Sequence, residues 1–263
     1  MAEPAFTSLR LTREGAVATL TVDRPRQLNA LDAPTLREIA RAVREIRRDE
    51  EVRALVVTGA GEKAFSAGAD IAAMKAMAPG DGHDYSRLGH EVLARLEALP
   101  IPVVAALNGV ALGGGLELAL ACDLIVASER ARVGQPEINL GLVPGFGGTQ
   151  RLVRRVGLGR ARELIYLGHA IGADEALRIG LVDRVAPPER LADEAARLAA
   201  DLAAKAPLAL AQAKRATAVA ADADLATGCR YEIEAFGVAF AADDRVEGLT
   251  AFLEKRPAVW KGR

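Results

Sequence analysis

The chain has 263 residues, of which 51% are hydrophobic and 26% charged, with a formal net charge of -1. This length provides for one large domain or two small ones, and the composition is typical of a soluble globular protein. The balanced charge argues against recruitment of nucleic acid or of an anionic membrane by a global electrostatic field. The most apolar stretch, residues 103–121, contains Asn108, four glycines and Glu117, so it does not predict a membrane span.

Cysteine and histidine usage argues against a metal site and against a disulfide framework. Cys122 and Cys229 lie far apart without neighbouring ligands at metal spacing, which favours reduced, unreactive thiols. The three histidines form no His-x-x-x-His pair and no cluster with cysteine. Because the first ten residues also lack a basic segment followed by an apolar core, we expect a cytoplasmic protein.

The first half of the chain alternates predicted strands with predicted helices. Apolar residues at every second position predict a half-buried strand over residues 17–23, which can pair with residues 9–11 as a hairpin. Asp32 caps a helix with Pro34 in its first turn, and residues 79–82 are expected to break the helical pattern. Buried strands are predicted at residues 54–58, 103–107 and 124–127, and further helices at residues 71–77 and 85–99. This order argues for an α/β fold.

After residue 148 the pattern becomes mainly helical. Helices are predicted over residues 149–156, 160–167, 174–179, 191–204, 208–221 and 227–253, with one short strand at residues 181–185. Apolar residues lie on more than one face of the last alanine-rich helices. This distribution favours packing against other subunits.

Residues 105–148 hold the features that point to chemistry. The glycine triplet Gly113 to Gly115 opens an apolar helix and leaves backbone N–H groups free at its start, where the helix dipole favours negative charge. Glu117 lies three residues beyond Gly114, so about one turn brings its carboxylate to the same face. Such an arrangement can stabilise an oxyanion beside an acid or base. Read alone, the triplet also fits a structural role, and Glu117 fits a helix-cap role.

A second carboxylate, Glu137, follows a proline in a segment otherwise built of glycine and aliphatic residues. Charged side chains in such surroundings are generally paired or functional, although a surface turn also accounts for Glu137 taken alone. Small residues at positions 67–69 lead into another helix and are a second candidate for a backbone donor. The triplet lacks the third glycine of a dinucleotide-binding fingerprint, and no Gly-Lys-Ser/Thr phosphate loop is present.

Several motifs distributed along the chain carry a family resemblance. They are Asn29-Ala-Leu31, Ala64-Phe-Ser-Ala-Gly-Ala-Asp-Ile71, Asn108-Gly-Val-Ala-Leu-Gly-Gly-Gly-Leu-Glu117, Gly134-Gln-Pro-Glu137, Pro144-Gly-Phe-Gly-Gly-Thr-Gln-Arg-Leu152 and the segment 242–256. On these motifs the chain resembles the enoyl-CoA hydratase/isomerase (crotonase) superfamily over nearly its whole length. Residues 159–166 and 227–237 further resemble bacterial short-chain 3-hydroxybutyryl-CoA dehydratases.

The resemblance implies an assignment of the active site. The two backbone N–H groups of the family's oxyanion hole fall on Ala69 and Gly114, where they would hold the thioester carbonyl as an enolate forms. The family's two glutamates fall on Glu117 and Glu137, with one water between them. Glu117 would accept a proton from the water and Glu137 would exchange the proton at the α-carbon, a division left open because coupled carboxylates titrate as a pair. The amide of Gly145 matches the position that helps to orient the water.

The resemblance also implies contacts to coenzyme A. Matching positions in the first half of the chain are Arg24, Arg26, Leu28, Ala30, Ala64, Ala67, Asp70 and Ile71. Phe252 and Lys255 match positions that reach CoA from the C-terminal helix, sometimes of a neighbouring subunit. Ala72 stands where relatives often carry a lysine, which puts one nucleotide contact in doubt. Phe146 stands where many relatives carry a smaller residue, which would change the shape of the acyl site.

The fold implied by the resemblance is a spiral of repeated ββα turns with a C-terminal α-helical oligomerisation segment. Residues 1–200 would form the core with the active site, and residues 201–263 would serve trimerisation and complete the CoA site. The activity implied is reversible hydration of a short 2-trans-enoyl-CoA to the 3-hydroxyacyl-CoA. Coenzyme A enters as part of the substrate, so no cofactor is expected, and the assembly would be a homotrimer or a homohexamer made of two trimers.

Other functions fit parts of this pattern. A double-bond isomerase of the same superfamily would need essentially one acid/base, and dehalogenase or hydrolase members replace one or both glutamates. The presence of both therefore favours hydration. Some relatives bind RNA, but the near-neutral charge and the lack of an uninterrupted basic run argue against that here. A non-catalytic scaffold would tolerate changes at either glutamate.

Overall fold

The computed structural model describes residues 5–263. Its strands are β1 (Leu9–Glu14), β2 (Val17–Val22), β3 (Ala54–Gly59), β4 (Ala64–Ser66), β5 (Val103–Leu107), β6 (Val110–Leu112), β7 (Leu124–Ser128), β8 (Arg132–Gly134), β9 (Ala170–Gly172) and β10 (Arg184–Ala186). Its α-helices are α1 (Ala33–Arg48), α2 (Ile71–Lys75), α3 (Pro79–Glu97), α4 (Gly114–Leu120), α5 (Gly148–Leu167), α6 (Ala173–Arg178), α7 (Leu191–Ala203), α8 (Pro207–Val219), α9 (Leu225–Ala241) and α10 (Asp243–Glu254).

The strands form two sheets that are built by successive turns of one spiral. The larger sheet has the order β1-β2-β3-β5-β7-β10, in which the β1–β2 hairpin is antiparallel and the other pairs are parallel. The smaller sheet has the order β4-β6-β8-β9. Along the chain, the pairs β3 and β4, β5 and β6, and β7 and β8 each place one strand in each sheet before a helical segment follows. The α/β class and the repeated ββα turn predicted from the sequence are therefore confirmed.

The large sheet is covered on both faces, which explains the continuous aliphatic sequences of its central strands. One face packs into the main core, to which α1 and α3 contribute side chains such as Leu36, Ile39 and Leu93. The other face packs against α7 through Leu191 and Leu198. Over the described residues, no helix combines the length and apolar character needed to cross a membrane.

Several element boundaries differ from the predictions. Helix α3 begins at Pro79 and includes residues 79–82, because a proline at the first helical position lacks only an N–H that has no partner within the helix. The single helix predicted over residues 227–253 is divided at Ala242, whose backbone is extended (φ -73°, ψ 149°). The strand predicted at residues 181–185 is instead Arg184–Ala186. The separate helices predicted at 149–156 and 160–167 agree with a kink in α5 at Gly157, where φ is +78°.

The smaller sheet was not predicted, although its strands carry the loops of the candidate site. Its four strands have three residues each, which is shorter than the runs in which period-2 alternation can be recognised. Residues 64–66 form β4, whose three residues are all buried.

Candidate active site

Two backbone N–H groups lie side by side where the loops after β4 and β6 meet. A Cβ placed on Gly114 would lie 3.5 Å from the amide nitrogen of Ala69, and one placed on Gly68 would lie 3.2 Å from the amide nitrogen of Gly114. Gly114 is the first residue of α4, so its N–H has no partner within the helix. Within the described part of the chain, neither the Ala69 nor the Gly114 N–H donates to a protein acceptor. The structure thus brings together the two donors predicted for an oxyanion hole.

Glu117 is fixed by backbone donors from a distant part of the chain. It lies in α4, is only 1% exposed, and its Oε1 accepts N–H bonds from Phe146 at 2.8 Å and from Gly148 at 2.6 Å. Gly148 begins α5, so the carboxylate lies at the N-terminus of a second helix as well as near that of its own. Burial raises the pKa of Glu117 above its ordinary value, and the two amides and the Arg151 guanidinium oppose that rise.

Glu137 lies on the 3-10 helix Pro136–Leu140 and approaches the glycine triplet closely. A Cβ on Gly113 would lie 2.7 Å from Glu137 Oε1, so a side chain at this position would push the carboxylate aside. The pKa of Glu137 is raised to about 7, mainly by its partial burial and in smaller part by the negative charge of Glu117. The two predicted carboxylates therefore belong to one electrostatically coupled pair.

Gln135 joins the surroundings of the two glutamates and was not singled out from the sequence, although it lies inside a quoted motif. Its side chain is fully buried. With its amide oriented to suit its neighbours, the nitrogen donates to both oxygens of Glu137 at 3.0 Å. A Cβ on Gly148 would lie 2.5 Å from this side chain and 3.0 Å from Glu117 Oε1, which places Gln135 between the two carboxylates.

Phe146 forms a wall beside the two free amides. Its ring is buried, packs edge-on against Tyr85 with ring centroids 5.1 Å apart, and would lie 3.0 Å from a Cβ on Gly114. A Cβ on Gly89 would be only 2.1 Å from the ring, so a glycine on α3 makes room for the phenylalanine. Gly145, the predicted water-orienting residue, accepts a hydrogen bond at its carbonyl from Ser86 Oγ at 2.6 Å. Its own N–H donates to none of the described residues.

The predicted CoA contacts divide into two groups. Arg24 is committed to protein contacts: its guanidinium donates to the Ala30 carbonyl at 2.6 Å and pairs with Asp32 at 3.0 Å and Asp70 at 3.3 Å. This network, together with a bond from the Ala67 N–H to the Leu28 carbonyl at 2.9 Å, ties the loop after β2 to the loop after β4.

The remaining positions differ in exposure. Ala64 is buried and its carbonyl accepts from Asn29, whereas Arg26, Leu28 and Ile71 are exposed beside the loop network. Phe252 and Lys255 lie exposed at the end of α10, and no described hydrogen bond or ion pair joins them to residues 24–30 or 64–71. Contacts of all these residues to CoA stay predictions. Among the described residues, no group of three His, Cys, Asp or Glu side chains is arranged to hold a metal ion.

The comparison with known proteins agrees with this architecture. Residues 12–263 match the family model described as enoyl-CoA hydratase/isomerase. The chain belongs to this family. It is 49% identical to the short-chain-enoyl-CoA hydratase of Clostridium acetobutylicum, with 94% of each chain covered, and 45% identical to the crotonyl-CoA hydratase of Syntrophomonas wolfei, with 97% of this chain and 98% of that one covered.

Solved structures show the same fold. The crystal structure of an enoyl-CoA hydratase from Bacillus anthracis superposes with a TM-score of 0.95 at 40% identity, covering 98% of this chain and 100% of that one. The resemblance inferred from the sequence motifs is therefore confirmed. The family acts on acyl-CoA thioesters, and this is the substrate class of the protein.

Proposed function

We propose that this enoyl-CoA hydratase/isomerase family member is a hydratase that adds water reversibly to short 2-trans-enoyl-CoA thioesters to give 3-hydroxyacyl-CoA. The observation that carries the proposal is the coupled pair of glutamates, one buried and one partly buried, beside two free backbone N–H groups. An isomerase needs to move one proton between two carbons, whereas hydration needs one group for the water and one for the α-carbon. The names of the relatives at 49% and 45% identity support the same reaction.

The amides of Ala69 and Gly114 bind the thioester carbonyl oxygen. As water attacks C3, the C2=C3 π electrons move toward C2 and the carbonyl, and the enolate oxygen gains negative charge. Preorganised N–H donors stabilise this charge more than they stabilise the neutral carbonyl. Removal of one such donor typically costs about 10²–10³-fold in rate.

Glu117 and Glu137 divide the two proton transfers. The bonds from Phe146 and Gly148 both go to Glu117 Oε1, which leaves Oε2 for the attacking water. Glu117 takes a proton from this water, while Glu137 delivers a proton to C2. A pKa of about 7 suits Glu137 to this task, since a sizeable fraction of it is protonated near neutral pH. The N–H of Gly145 adds a third donor that orients the water.

The preference for short acyl chains rests on Phe146. Its ring lies next to Gly114 and packs against Tyr85 and Gly89 of α3, so it has no room to move toward that helix. An acyl chain whose carbonyl lies on the two amides meets this ring after a few carbons.

We extend the proposal to the assembly and the surroundings of the enzyme. Helices α9 and α10 present large exposed apolar side chains, including Ile233, Phe236, Phe240, Phe252 and Leu253. Burial of such a surface between subunits supports a homotrimer or a dimer of trimers, in which Phe252 and Lys255 reach CoA on a neighbouring subunit. The reaction takes no step through a metal or redox cofactor, and we place it in the cytoplasm.

The test is hydration of crotonyl-CoA, followed by loss of the conjugated enoyl-thioester absorbance. We expect the wild type to be active and Glu117→Gln and Glu137→Gln to lose about 10²–10⁴-fold in kcat while they remain folded by circular dichroism. Full hydration by either variant would contradict the two-glutamate assignment and favour a single acid/base of the isomerase type. A wild type inactive on crotonyl-CoA and on longer or branched enoyl-CoAs would overturn the hydratase itself.

A further inference from the structure

Arg151 lies directly behind the turn that binds Glu117. Its Nη1 donates to the Phe146 carbonyl at 2.7 Å, while Nε and Nη2 form a two-point ion pair with the Glu97 carboxylate at 2.7 and 2.6 Å. The side chain is only 15% exposed. The planar guanidinium thus fixes the turn to the last residue of α3, which a flexible lysine could not do with the same geometry.

The bond to the Phe146 carbonyl acts on Glu117 through the backbone. The N–H groups of Phe146 and Gly148 hold Glu117, and the Phe146 carbonyl belongs to the peptide unit between them. Gly147 has a φ of +107°, and a Cβ there would lie 2.3 Å from Arg151 Nη1, so the turn approaches the guanidinium this closely only as glycine. Rotation of this peptide would move both donors away from Glu117.

The charge of Arg151 also acts on Glu117. Burial raises the pKa of Glu117, and the positive charge of the Arg151 guanidinium partly opposes that rise. From the other elements, Glu137 faces Glu117, and the His90 ring lies beside Gly147.

Behind Arg151, an open groove of about 940 Å³ is also lined by charged residues. Three of its cations form ion pairs within or beside the groove: Arg154 with Asp222, Arg155 with Asp183 and Lys214 with Asp123. Arg151 also lines this groove, and it donates a hydrogen bond to the 146–148 turn that binds Glu117.

We propose that Arg151 is a positioning residue for Glu117: it holds the 146–148 turn through the Phe146 carbonyl and the Glu97 ion pair, and so maintains the geometry in which Glu117 accepts a proton. Arg151 has no contact with water or substrate in this assignment. The inference rests on the proposed function, because the role it serves is proton transfer by Glu117.

The test combines kinetics with a measurement that needs no reaction. We expect Arg151→Met to lower kcat for crotonyl-CoA by about 10- to 100-fold near pH 7 with KM changed less than about twofold, since only the proton-transfer geometry changes. The acid limb of the kcat profile should move to higher pH, because Glu117 loses a nearby positive charge, and higher pH should restore part of the rate. Without substrate, amide hydrogen exchange in the peptide containing residues 146–148 should become about tenfold faster or more.

Arg154 provides a matched control on the same helix. It also pairs with a carboxylate, Asp222 Oδ1, through two nitrogens at 3.1 and 2.7 Å, and donates to a backbone carbonyl, that of Gln150, at 3.2 Å. Arg154→Met should leave kcat, the acid limb and the exchange of residues 146–148 unchanged within about twofold. Arg151→Lys should keep the acid limb near its wild-type position but retain the loss in kcat, which separates charge from geometry.

The outcomes distinguish this inference from the proposed function. An acid limb and an exchange rate in Arg151→Met that coincide with the wild type would overturn the inference, even if kcat fell. Faster exchange in Arg151→Met but no hydration by the wild type would overturn the proposed function and leave the structural role of Arg151 standing. If Arg151→Met does not fold, Arg151→Lys and Glu97→Gln supply the same comparison. Amide hydrogen exchange of residues 146–148 at the wild-type rate in both variants would overturn the positioning role of Arg151.

Discussion

The two carboxylates of the candidate site are held in opposite ways. Glu117 lies in a helix, is 1% exposed and accepts hydrogen bonds from two backbone N–H groups of the turn 146–148. Arg151 ties this turn to α3. Glu137 lies on a short 3-10 helix beside exposed apolar side chains, and its partner is the side-chain amide of Gln135. A backbone donor moves only if the chain on either side of it rearranges, whereas a side-chain donor can leave its acceptor by a change of rotamer.

This difference matches the two tasks proposed. The group that accepts a proton from water has to hold that water in one place, which suits a carboxylate with a fixed position. The group that delivers a proton to carbon has to follow C2 as it changes from planar to tetrahedral, which suits a carboxylate on a less buried element. Both environments raise the pKa of a carboxyl by burial, and the negative charge of Glu117 adds to the rise at Glu137.

The largest effects are expected when the glycine next to each carboxylate is replaced by alanine. The two variants test whether Glu117 is held more rigidly than Glu137. In Gly148→Ala, the new Cβ would lie 2.5 Å from Gln135 and 3.0 Å from Glu117 Oε1, which cannot yield without losing its backbone bonds. In Gly113→Ala, the Cβ would lie 2.7 Å from Glu137 Oε1, the end of a side chain that can swing aside. We expect kcat for crotonyl-CoA to fall about 10²–10³-fold in Gly148→Ala and about tenfold in Gly113→Ala.

Each glycine variant has a control. Gly159 lies in the same helix as Gly148 with nothing near its Cβ position, and Gly141 lies in open space with a positive φ. Gly159→Ala should therefore show the effect of an alanine in this helix alone. Gly141→Ala should show the effect of an alanine at positive φ, although ψ is 23° at Gly141 and -125° at Gly113. Equal losses in Gly148→Ala and Gly113→Ala would contradict the distinction between a fixed and a movable carboxylate.

The next prediction concerns Phe146, on the Glu117 side of the site, and the acyl-chain length that the enzyme accepts. Phe146→Leu removes part of the ring that packs on Tyr85, and should raise kcat/KM for a 2-octenoyl-CoA relative to crotonyl-CoA by about tenfold or more, since each accommodated methylene is worth roughly 1–3 kcal/mol. The ratio is measured in competition between the two substrates.

The less buried side of the site offers the control for chain length. Leu142→Ala changes an exposed apolar side chain of the 3-10 loop region and leaves the ring in place. It should leave the substrate ratio near that of the wild type. If kcat/KM for 2-octenoyl-CoA relative to crotonyl-CoA rose in Leu142→Ala but not in Phe146→Leu, the residues that limit chain length would lie on the Glu137 side.

The smallest expected effect concerns stability. The pKa of Glu137, about 7, is above its ordinary value of about 4.3 in an unfolded chain, so protonation favours the folded state. This favourable contribution is complete below about pH 4 and is lost as the pH rises through 7. The melting temperature of Glu137→Gln should therefore exceed that of the wild type by more at pH 8 than at pH 5, by a few degrees, as roughly 1 kcal/mol shifts the midpoint by about 2–4 °C.

Glu62 supplies the control for this measurement, because its carboxylate is exposed. Glu62→Gln should show the same melting-temperature difference from the wild type at both values of pH. A pH-independent difference for Glu137→Gln would mean that its carboxyl does not titrate near 7 in the folded protein.

The sequence predicted much of this molecule from short-range patterns. The continuous aliphatic runs of β3, β5 and β7, the alternation of β2 and the cap of α1 at Asp32 are all local features, and the structure confirms them. The motifs also identified the family, and with it the two glutamates and two amides as candidates. Their catalytic roles, the CoA contacts, the division at residue 200 and the oligomeric state stay predictions.

By itself, the sequence determined the residue types and the local periodicity. Residues on one face of a helix are three or four positions apart and those on one face of a strand are two apart, so both patterns can be read from nearby residues. Tertiary structure alone decided which distant groups meet. Glu117 and Gly148 are 31 residues apart, and Arg151 and Glu97 are 54 apart, so no local pattern connects them. The successive turns of the spiral bring a helix start to Glu117, a side-chain amide to Glu137 and a guanidinium to the turn that holds Glu117. The chemistry of the site depends on those contacts.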